Sequence, residues 1–338
     1  MNTNLSYSEP CSLLIVIINY RTPQLTIECL RALASEIHSV PGTRVAVVDN
    51  DSGDGSVEKI GAAIATEGWE NWATLMPSSL NGGYAYGNNF AIRPALQSSN
   101  PPAYFWLLNS DTRIRPGAIK ALVEFLEQNL KVGIVGSSLE NPDGTCWSTA
   151  FRFPSLLSEL EGGVRLGIVS KLLSNWVVAQ KMGDQPQPVD WLPGASMMIR
   201  REVFESIGLM DEEYFLYYEE TDFCLQAKRA GWSCWYVPDS KVMHIAGQST
   251  GVTARDAAPR RLPQYVFDSR RRYFVKNHGL VYAALTDFVW SLGFTIWRLR
   301  RVVQRKPDTD PPYLLLDTLR NSVFLKGSKY VKYEPAKN

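Results

Sequence analysis

Cysteine and histidine are scarce in this chain, and their spacing excludes the commonest zinc and disulfide frameworks. The 338 residues include five cysteines and three histidines. No CxxC pair occurs, and no cysteine and histidine stand at zinc-ligand spacing. The sequence therefore predicts neither a structural zinc site nor a disulfide-stapled secreted domain.

A large net charge of one sign is also lacking. Lys and Arg number 35 against 34 Asp and Glu, a formal net charge of +1, which argues against a nucleic-acid partner bound by bulk charge. The charge is uneven, because residues 255–306 hold twelve basic and three acidic residues. An acidic body with one basic segment predicts that the basic segment binds an anionic partner.

The first residues do not predict a secretory signal. No basic cluster opens the chain, and the apolar run Leu13–Ile18 is shorter than a signal-peptide core. Together with the cysteine pattern, this predicts a reducing, cytoplasmic location.

Apolar runs and helical patterns alternate over the first 136 residues. The runs at 13–18, 45–48 and 104–108 are apolar on every residue, as strands covered on both faces are. This alternation predicts an α/β fold with a doubly wound, mostly parallel sheet. Ligands of such sheets bind beyond the carboxyl ends of the strands. Polar segments follow these three strands there: Asn19-Tyr20, Asp49-Asn50-Asp51 and Asn109-Ser110-Asp111.

A glycine- and asparagine-rich segment runs from Asn81 to Asn89. Its glycines allow close backbone approach to a ligand, and Asn88 and Asn89 can begin a helix. The segment is neither a Walker A loop nor GxGxxG, so it indicates neither an NTPase nor a dinucleotide site. An ordinary glycine-rich turn explains it equally well.

Two residues offer ligands for a divalent cation. Asp111 follows a buried strand, where a carboxylate is well placed to hold Mg²⁺ or Mn²⁺ together with phosphate oxygens. His244 follows a short predicted strand at 235–237. Taken singly, a turn residue and a structural histidine explain these positions as well.

The densest group of carboxylates is Glu219, Glu220 and Asp222, at the predicted start of a helix. Crowded like charges raise the pKa of at least one carboxyl, which suits a general base. Acidic residues placed for the helix dipole alone are the alternative. The flanking aromatic residues would desolvate the group and favour the catalytic interpretation.

Taken in order, these segments resemble glycosyltransferase family 2, the inverting, sugar-nucleotide-dependent enzymes of the GT-A fold. The resemblance runs from about Leu13 to Gly251 and is greatest to the bacterial rhamnosyltransferase-type branch, which extends lipid-linked saccharides. Its further landmarks are Pro193-Gly194-Ala195-Ser196-Met197 and Gly208-Leu209-Met210-Asp211-Glu212.

The resemblance implies a role for each matching residue. Glu220 would be the general base, with Glu219 and Asp222 around it, and Asp111 would hold Mg²⁺ or Mn²⁺ with His244 as a further ligand. The donor would be bound by Asn19, Tyr20, Asp49, Asn81, Gly82, Gly83, Asn88, Asn109 and Asp111. The acceptor side would be lined by Trp191, Gly194, Ala195 and Ser196.

Two positions depart from the family pattern. Asn109 stands at the first position of the DxD motif, so that Asp111 is its one carboxylate. The base position carries Glu rather than Asp, one methylene longer, which leaves Glu219, Glu220 and Asp222 as alternatives for the base.

The sequence divides into three parts. Residues 1–136 are the predicted nucleotide-sugar-binding half and residues 137–254 the acceptor and catalytic half of one GT-A domain. Residues 255–338 form a basic helical extension. Within it, 13 of the residues 280–297 are apolar, and Asp287, Ser291 and Thr295 fall on one polar stripe. This favours an amphipathic helix on an anionic membrane surface over a membrane span; a core or dimer helix is the alternative.

The sequence thus predicts a cytoplasmic, membrane-peripheral enzyme. It would move a sugar, with dTDP-L-rhamnose the favoured donor, to a lipid-linked or polysaccharide acceptor, and it would bind no nucleic acid. An inactive scaffold in polysaccharide assembly remains open because of Asn109. A sugar-nucleotide nucleotidyltransferase is the other alternative, although it expects a glycine-rich loop where residues 19–23 have no glycine.

Overall fold

The computed structural model describes residues 11–245, 247 and 259–329, and within these ranges nine strands form one sheet flanked by twelve helices. The strands are β1 Leu13–Asn19, β2 Thr43–Asp49, β3 Ala73–Pro77, β4 Tyr104–Asn109, β5 Thr112–Ile114, β6 Val132–Glu140, β7 Gln187–Val189, β8 Ser196–Arg200 and β9 Ser233–His244. The helices are α1 Pro23–Ala34, α2 Ser56–Thr66, α3 Gly83–Leu96, α4 Ala118–Gln128, α5 Leu156–Val164, α6 Gly167–Leu172, α7 Arg201–Ile207, α8 Glu219–Arg229, α9 Gln264–His278, α10 Leu280–Val303, α11 Leu314–Arg320 and α12 Val323–Lys326.

The sheet is mixed, and its longest pairings are parallel. Its order is β3-β2-β1-β4-β8-β6-β9-β5, with β7 paired to β9. Strands β1 to β4 pair in parallel, as do β6 and β9, whereas β8 runs antiparallel to both neighbours. The predicted mixed, mostly parallel α/β sheet is confirmed.

Strand β1 shows why these apolar runs become central strands. Successive side chains point to opposite faces of a sheet, so Leu13 and Ile15 enter the core beneath α1 and α4, while Leu14 and Val16 enter the core beneath α3. All four are at most 1% exposed, and burial of each such side chain stabilises the fold by roughly 1.5–3 kcal/mol. Polar residues are therefore displaced to the ends of the strands, where the candidate site lies.

Two local predictions differ from the structure. Helix α3 begins at Gly83, so Asn88 and Asn89 lie inside the helix instead of starting it. His244 is the last residue of the twelve-residue strand β9 and does not follow a short strand. Strand β9 is long because it pairs first with β6 and then, after a register shift, with β5 as well.

The predicted polar stripe on α10 is not its exposed face. Asp287 is buried, where its carboxylate binds Arg270 and accepts the backbone N–H of Val323. These partners lie on other helices, so the helical pattern of α10 alone could not indicate them. The exposed residues of α10 are mostly apolar: Val281, Leu285, Phe288, Leu292, Ile296, Leu299, Val302 and Val303.

Helices α10 and α5 pack closely because each has a glycine at their contact. A Cβ atom at Gly163 would lie 2.8 Å from the carbonyl oxygen of Trp290, and one at Gly293 would lie 2.9 Å from the backbone nitrogen of Val164. By length and composition, α10 is the one helix in the described ranges that could cross a bilayer, with a mean hydropathy of 1.4 over its most apolar window. One third of that window is buried against the protein.

Candidate active site

Asn19 and Asp49 meet at the carboxyl ends of the neighbouring strands β1 and β2. Asn19 Nδ2 donates to Asp49 Oδ2 at 2.7 Å, and the same oxygen accepts the Ser52 hydroxyl at 2.7 Å. Asp49 Oδ1 accepts the backbone N–H of Ser52 at 3.0 Å. Both side chains are almost fully buried, so they shape the floor of the site and hold the turn after β2.

Asn50 joins the end of β2 to the glycine-rich segment. Its Nδ2 donates to Asn81 Oδ1 at 3.0 Å and to the carbonyl of Gly83 at 3.1 Å. The Asn50 Oδ1 atom is buried and has no hydrogen-bond partner in the protein. This oxygen is therefore an unused hydrogen-bond acceptor beside the glycine-rich segment.

Gly83 has a structural requirement of its own. Its φ is +88°, and a Cβ atom there would lie 1.9 Å from the carbonyl oxygen of Phe215. The next residue, Tyr84, donates its backbone N–H to that same carbonyl at 2.8 Å. Because Gly83 has no side chain, the backbone of Phe215 can approach it closely. This contact holds the segment before α8 against the start of α3.

Asn109, Asp111 and His244 converge where β4, β5 and β9 meet. His244 Nε2 lies 3.2 Å from Asp111 Oδ1 and 3.3 Å from Asn109 Nδ2. His244 Nδ1 is buried and unpartnered. No cluster of three or more His, Cys, Asp or Glu side chains at metal-binding spacing occurs within the described ranges. One carboxylate and one imidazole fit a divalent cation whose remaining ligands are phosphate and water.

The backbone presents Glu219 and Glu220 at the start of α8. Tyr217 and Tyr218 both have φ near +70°, a left-handed conformation that costs residues with side chains about 1–2 kcal/mol each. The turn that they form places the two carboxyl groups side by side. Glu219 Oε2 and Glu220 Oε2 are both buried and lack hydrogen-bond partners in the protein.

Burial raises the pKa of both carboxyl groups. Desolvation raises the pKa of Glu220 to about 7, although the backbone N–H groups of Glu220 and Gly194 lower it in part. Desolvation and then the neighbouring charge of Glu220 raise the pKa of Glu219 well above its usual range. Burial therefore favours the protonated form of Glu219, and it brings Glu220 near its midpoint at neutral pH, where a general base works best.

Tyr84 connects the start of α3 to the segment that precedes β8. Its hydroxyl donates to the carbonyl of Gly194 at 2.6 Å, and burial followed by the charges of Glu220 and Glu219 raises the tyrosine pKa well above its usual range. The hydroxyl therefore stays neutral. The next carbonyl, that of Ala195, accepts the backbone N–H of Asn109 at 3.1 Å. These bonds link the start of α3, residues 194–195 and the end of β4 into one contiguous site.

Several predicted site residues lie elsewhere. Asp222 faces α9, where Lys276 and Asn277 bind its carboxylate at 2.6 Å each. Ser196 is buried against Trp106 and Ser137, and Asn88 donates to the carbonyl of Tyr84 within α3. The others lie at the rim of the site or beside it: Tyr20 is half-buried under Arg21, Gly82 packs on the Tyr86 ring, and Trp191 stacks on Phe151 at 4.4 Å.

Sequence reasoning named Asn50 and Tyr84 only within the segments 49–51 and 81–89 and gave neither residue a role of its own. Asn50 had a usable signal, because it follows Asp49 at the end of a buried strand. Tyr84 had no comparable signal, since its partner Gly194 is 110 positions away in sequence.

The fold and the site together define a class of enzyme. Polar side chains lie at the strand ends, Asp111 pairs with His244 there, and Glu219 and Glu220 hold buried carboxyl oxygens at the start of α8. These groups suit a sugar-nucleotide-dependent transferase of the GT-A type. The family model described as "Glycosyltransferase like family 2" matches residues 10–261. The chain belongs to this family and is a glycosyltransferase, as the sequence predicted.

Known proteins similar to this chain include two bacterial rhamnosyltransferases. The N-acetylglucosaminyl-diphospho-decaprenol L-rhamnosyltransferase of Mycobacterium tuberculosis is 30% identical over 217 residues, covering 61% of this chain and 68% of that protein. The dTDP-rhamnosyl transferase RfbF of Shigella flexneri is 26% identical over 219 residues, covering 64% of this chain and 67% of that protein.

Solved structures confirm the GT-A fold. The mannosyltransferase of Pyrobaculum calidifontis, solved in complex with GDP-Man and Mn²⁺, has a TM-score of 0.54 at 15% identity. The match covers 95% of this chain and 83% of that chain.

Proposed function

We propose that the protein transfers rhamnose from dTDP-L-rhamnose to a hydroxyl of a lipid-linked saccharide, with inversion at the anomeric carbon and with Glu220 as the base. The observation that carries this proposal is the pair Glu219 and Glu220 at the start of α8, each with a buried carboxyl oxygen that lacks a hydrogen-bond partner in the protein. Burial raises the pKa of both groups, that of Glu220 to about 7. Two similar proteins are named as rhamnosyltransferases, one of them for a diphospho-decaprenol acceptor and the other for a dTDP-rhamnosyl donor.

One displacement step accounts for the reaction. The Glu220 carboxylate takes the proton of the acceptor hydroxyl while that oxygen forms a bond to the anomeric carbon. The bond from this carbon to the diphosphate oxygen breaks, and its electron pair leaves with the nucleoside diphosphate. Attack opposite the leaving group inverts the centre, so one carboxylate suffices, whereas retaining hydrolases use two flanking carboxyls.

Asp111 and His244 would hold the divalent cation. Magnesium or manganese bound there would supply positive charge beside the diphosphate, where negative charge develops in the transition state. Asn109 replaces a carboxylate with a neutral amide, so we expect the cation to be held weakly unless the nucleotide is present.

Nucleotide binding provides the direct test of the donor and cation sites. We expect calorimetry of dTDP, UDP and GDP to give tightest binding for dTDP, at least tenfold weaker without Mn²⁺. Asp111→Ala should abolish the metal dependence, because it removes the one carboxylate of the pair.

Asp184→Ala, which removes an exposed carboxylate from a loop, is the matched control and should bind as the wild type does. Preference for UDP or GDP would contradict the rhamnose donor. Folded protein that binds none of the three nucleotides would contradict the donor site itself.

We also propose that the protein lies on the cytoplasmic face of the membrane through exposed apolar side chains of α6, α10 and α12. The exposed side of α10, Ile168 and Leu172 of α6, and Phe324 and Leu325 of α12 present apolar side chains to solvent. Exposed cations stand next to each group: Lys171, Lys326, Arg305 and Lys306. Apolar insertion combined with lysine and arginine is the chemistry that binds an anionic bilayer, with each cation contributing about 1 kcal/mol.

Vesicle sedimentation tests this membrane surface. Phe288→Ser combined with Leu292→Ser should lower binding to phosphatidylglycerol-containing vesicles at least tenfold, because two half-exposed apolar groups no longer insert. Leu130→Ser, at a residue 74% exposed on the body, is the matched control and should bind as the wild type does.

Neutral phosphatidylcholine vesicles should bind poorly. If the double variant binds vesicles as well as the wild type, the proposed surface is wrong. If it instead converts a dimer into a monomer, the apolar face is a contact between two copies of the chain.

A further inference from the structure

Lys276 of α9 binds both ends of the segment that carries the carboxylate pair. Its ammonium lies 2.7 Å from Asp211 Oδ2 and 2.6 Å from Asp222 Oδ2. Asp211 precedes Glu219 and Glu220 in sequence, and Asp222 follows them. One cation therefore closes residues 211–222 into a loop, which we call the base loop.

Helix α9 contacts the base loop between these ends as well. The Tyr214 ring lies beneath the guanidinium of Arg272, 5.3 Å from its carbon. Ser269 donates to the carbonyl of Leu216 at 3.0 Å, and the rings of Tyr273 and Tyr218 lie 5.3 Å apart. Tyr218 immediately precedes Glu219, so these contacts reach the residue that begins α8.

The charges at the two ends of the base loop are well buried. Side-chain exposure is 3% for Asp222 and 17% for Asp211, so each carboxylate needs a partner to remain ionised. Burial opposes ionisation of Asp211, but Lys276 and Arg272 outweigh it and lower its pKa. Asp222 also accepts hydrogen bonds from Asn277 at 2.6 Å and Gln226 at 3.3 Å.

Helix α9 is itself fixed both to α5 and to the rest of the extension. Arg270 binds Glu159 of α5 and Asp287 of α10, and Arg271 donates to the carbonyl of Asn321 at 2.8 Å. Helix α9 also lies beyond residue 261, where the match to the family model ends. The contacts to the base loop therefore come from outside the matched domain.

We propose that Lys276 is a positioning residue, which sets the geometry of the Glu220 carboxylate by holding both ends of the base loop on α9. The inference rests on the proposed role of Glu220 as the base. Lys276 touches neither donor nor acceptor in this assignment, so its loss should lower turnover without weakening donor binding.

The test uses the full chain with a charge-balanced variant. Lys276→Met alone leaves Asp222 as an unpaired buried charge that can unfold the protein, so it is combined with Asp222→Asn, whose amide retains Asn277 and Gln226 as partners. We expect at least a tenfold loss of kcat, with dTDP affinity and donor KM within about threefold of the wild type. Hydrogen exchange in residues 211–222 should be at least tenfold faster.

Lys276→Arg, which can still reach both carboxylates, should retain kcat. Lys120→Met, at an exposed ion pair on α4, is the control and should change neither measurement. Wild-type kcat in the double variant, or unchanged exchange in residues 211–222, overturns the proposal. If the wild-type chain has no transferase activity, the proposed function fails, and the exchange measurement alone then decides whether Lys276 holds the base loop.

Discussion

Glu220→Gln should lower kcat by about a hundred- to ten-thousand-fold while leaving dTDP affinity unchanged. The amide matches the carboxyl in shape but cannot accept the proton of the acceptor hydroxyl, and removal of a general base costs rates of this order. Steady-state kinetics and calorimetry on the same preparation would separate the two effects. An inactive scaffold would show neither turnover in the wild type nor any effect of this substitution.

Glu219→Gln is the matched comparison, one residue away. Burial raises the pKa of Glu219 and so favours its neutral form, and replacing it with a neutral amide should therefore lower kcat less than tenfold. A larger loss for Glu219→Gln than for Glu220→Gln would exchange the roles of the two residues.

The pH profile follows from the same assignment. A base acts as the carboxylate, and a raised pKa means that protonation begins at higher pH than for an ordinary glutamate. Because the pKa of Glu220 is raised to about 7, kcat/KM should fall about tenfold per pH unit below 7 and level off above it. An acid limb near pH 4.5 would show that the working base is a solvated carboxylate.

Gly83→Ala should destabilise the fold by about 4 kcal/mol or more, well above an ordinary substitution. A methyl group there would lie 1.9 Å from the carbonyl oxygen of Phe215, and φ is +88°. The clash is with backbone, which cannot rotate away as a side chain can. Urea unfolding followed by tryptophan fluorescence would measure the loss.

Gly117→Ala provides the control, because Gly117 also has a positive φ of +82° but nothing within 4 Å of its Cβ position. This substitution should lower the free energy of unfolding by only about 1–2 kcal/mol, the cost of a left-handed backbone conformation for a residue with a side chain. Equal losses for the two variants would mean that the approach of Phe215 is not what requires glycine at position 83.

The sequence predicted the parts of the site that follow locally from strand ends. Leu13–Ile18 and Tyr104–Leu108 became buried strands, and Asn19, Asp49 and Asn109 lie where those strands and β2 end. Such residues are predictable because the apolar runs that form the core also fix where each strand stops.

Long-range partners account for most of what the sequence could not predict. Asp222 was grouped with the carboxylate pair by sequence proximity, but its partner Lys276 is 54 positions away. Asp287 was placed on the polar stripe of an amphipathic helix, because nothing local shows that Arg270 binds it. Whether a charged residue lies at the surface or in a buried ion pair depends on the fold around it. The periodicity of the sequence alone does not give this information.

The position of the antiparallel strand β8 affects folding of the chain during its synthesis. Strands β4 and β6 leave the ribosome first, yet β8 must lie between them. Until β8 is synthesised, β4 has an unpaired edge on which Phe105, Trp106 and Leu107, all fully buried in the finished sheet, are incompletely covered. Such edges promote aggregation, so a fragment that ends at residue 136 would expose one permanently. Residues 1–136 thus depend on β8, a strand that follows them in the chain, to cover this edge of the sheet.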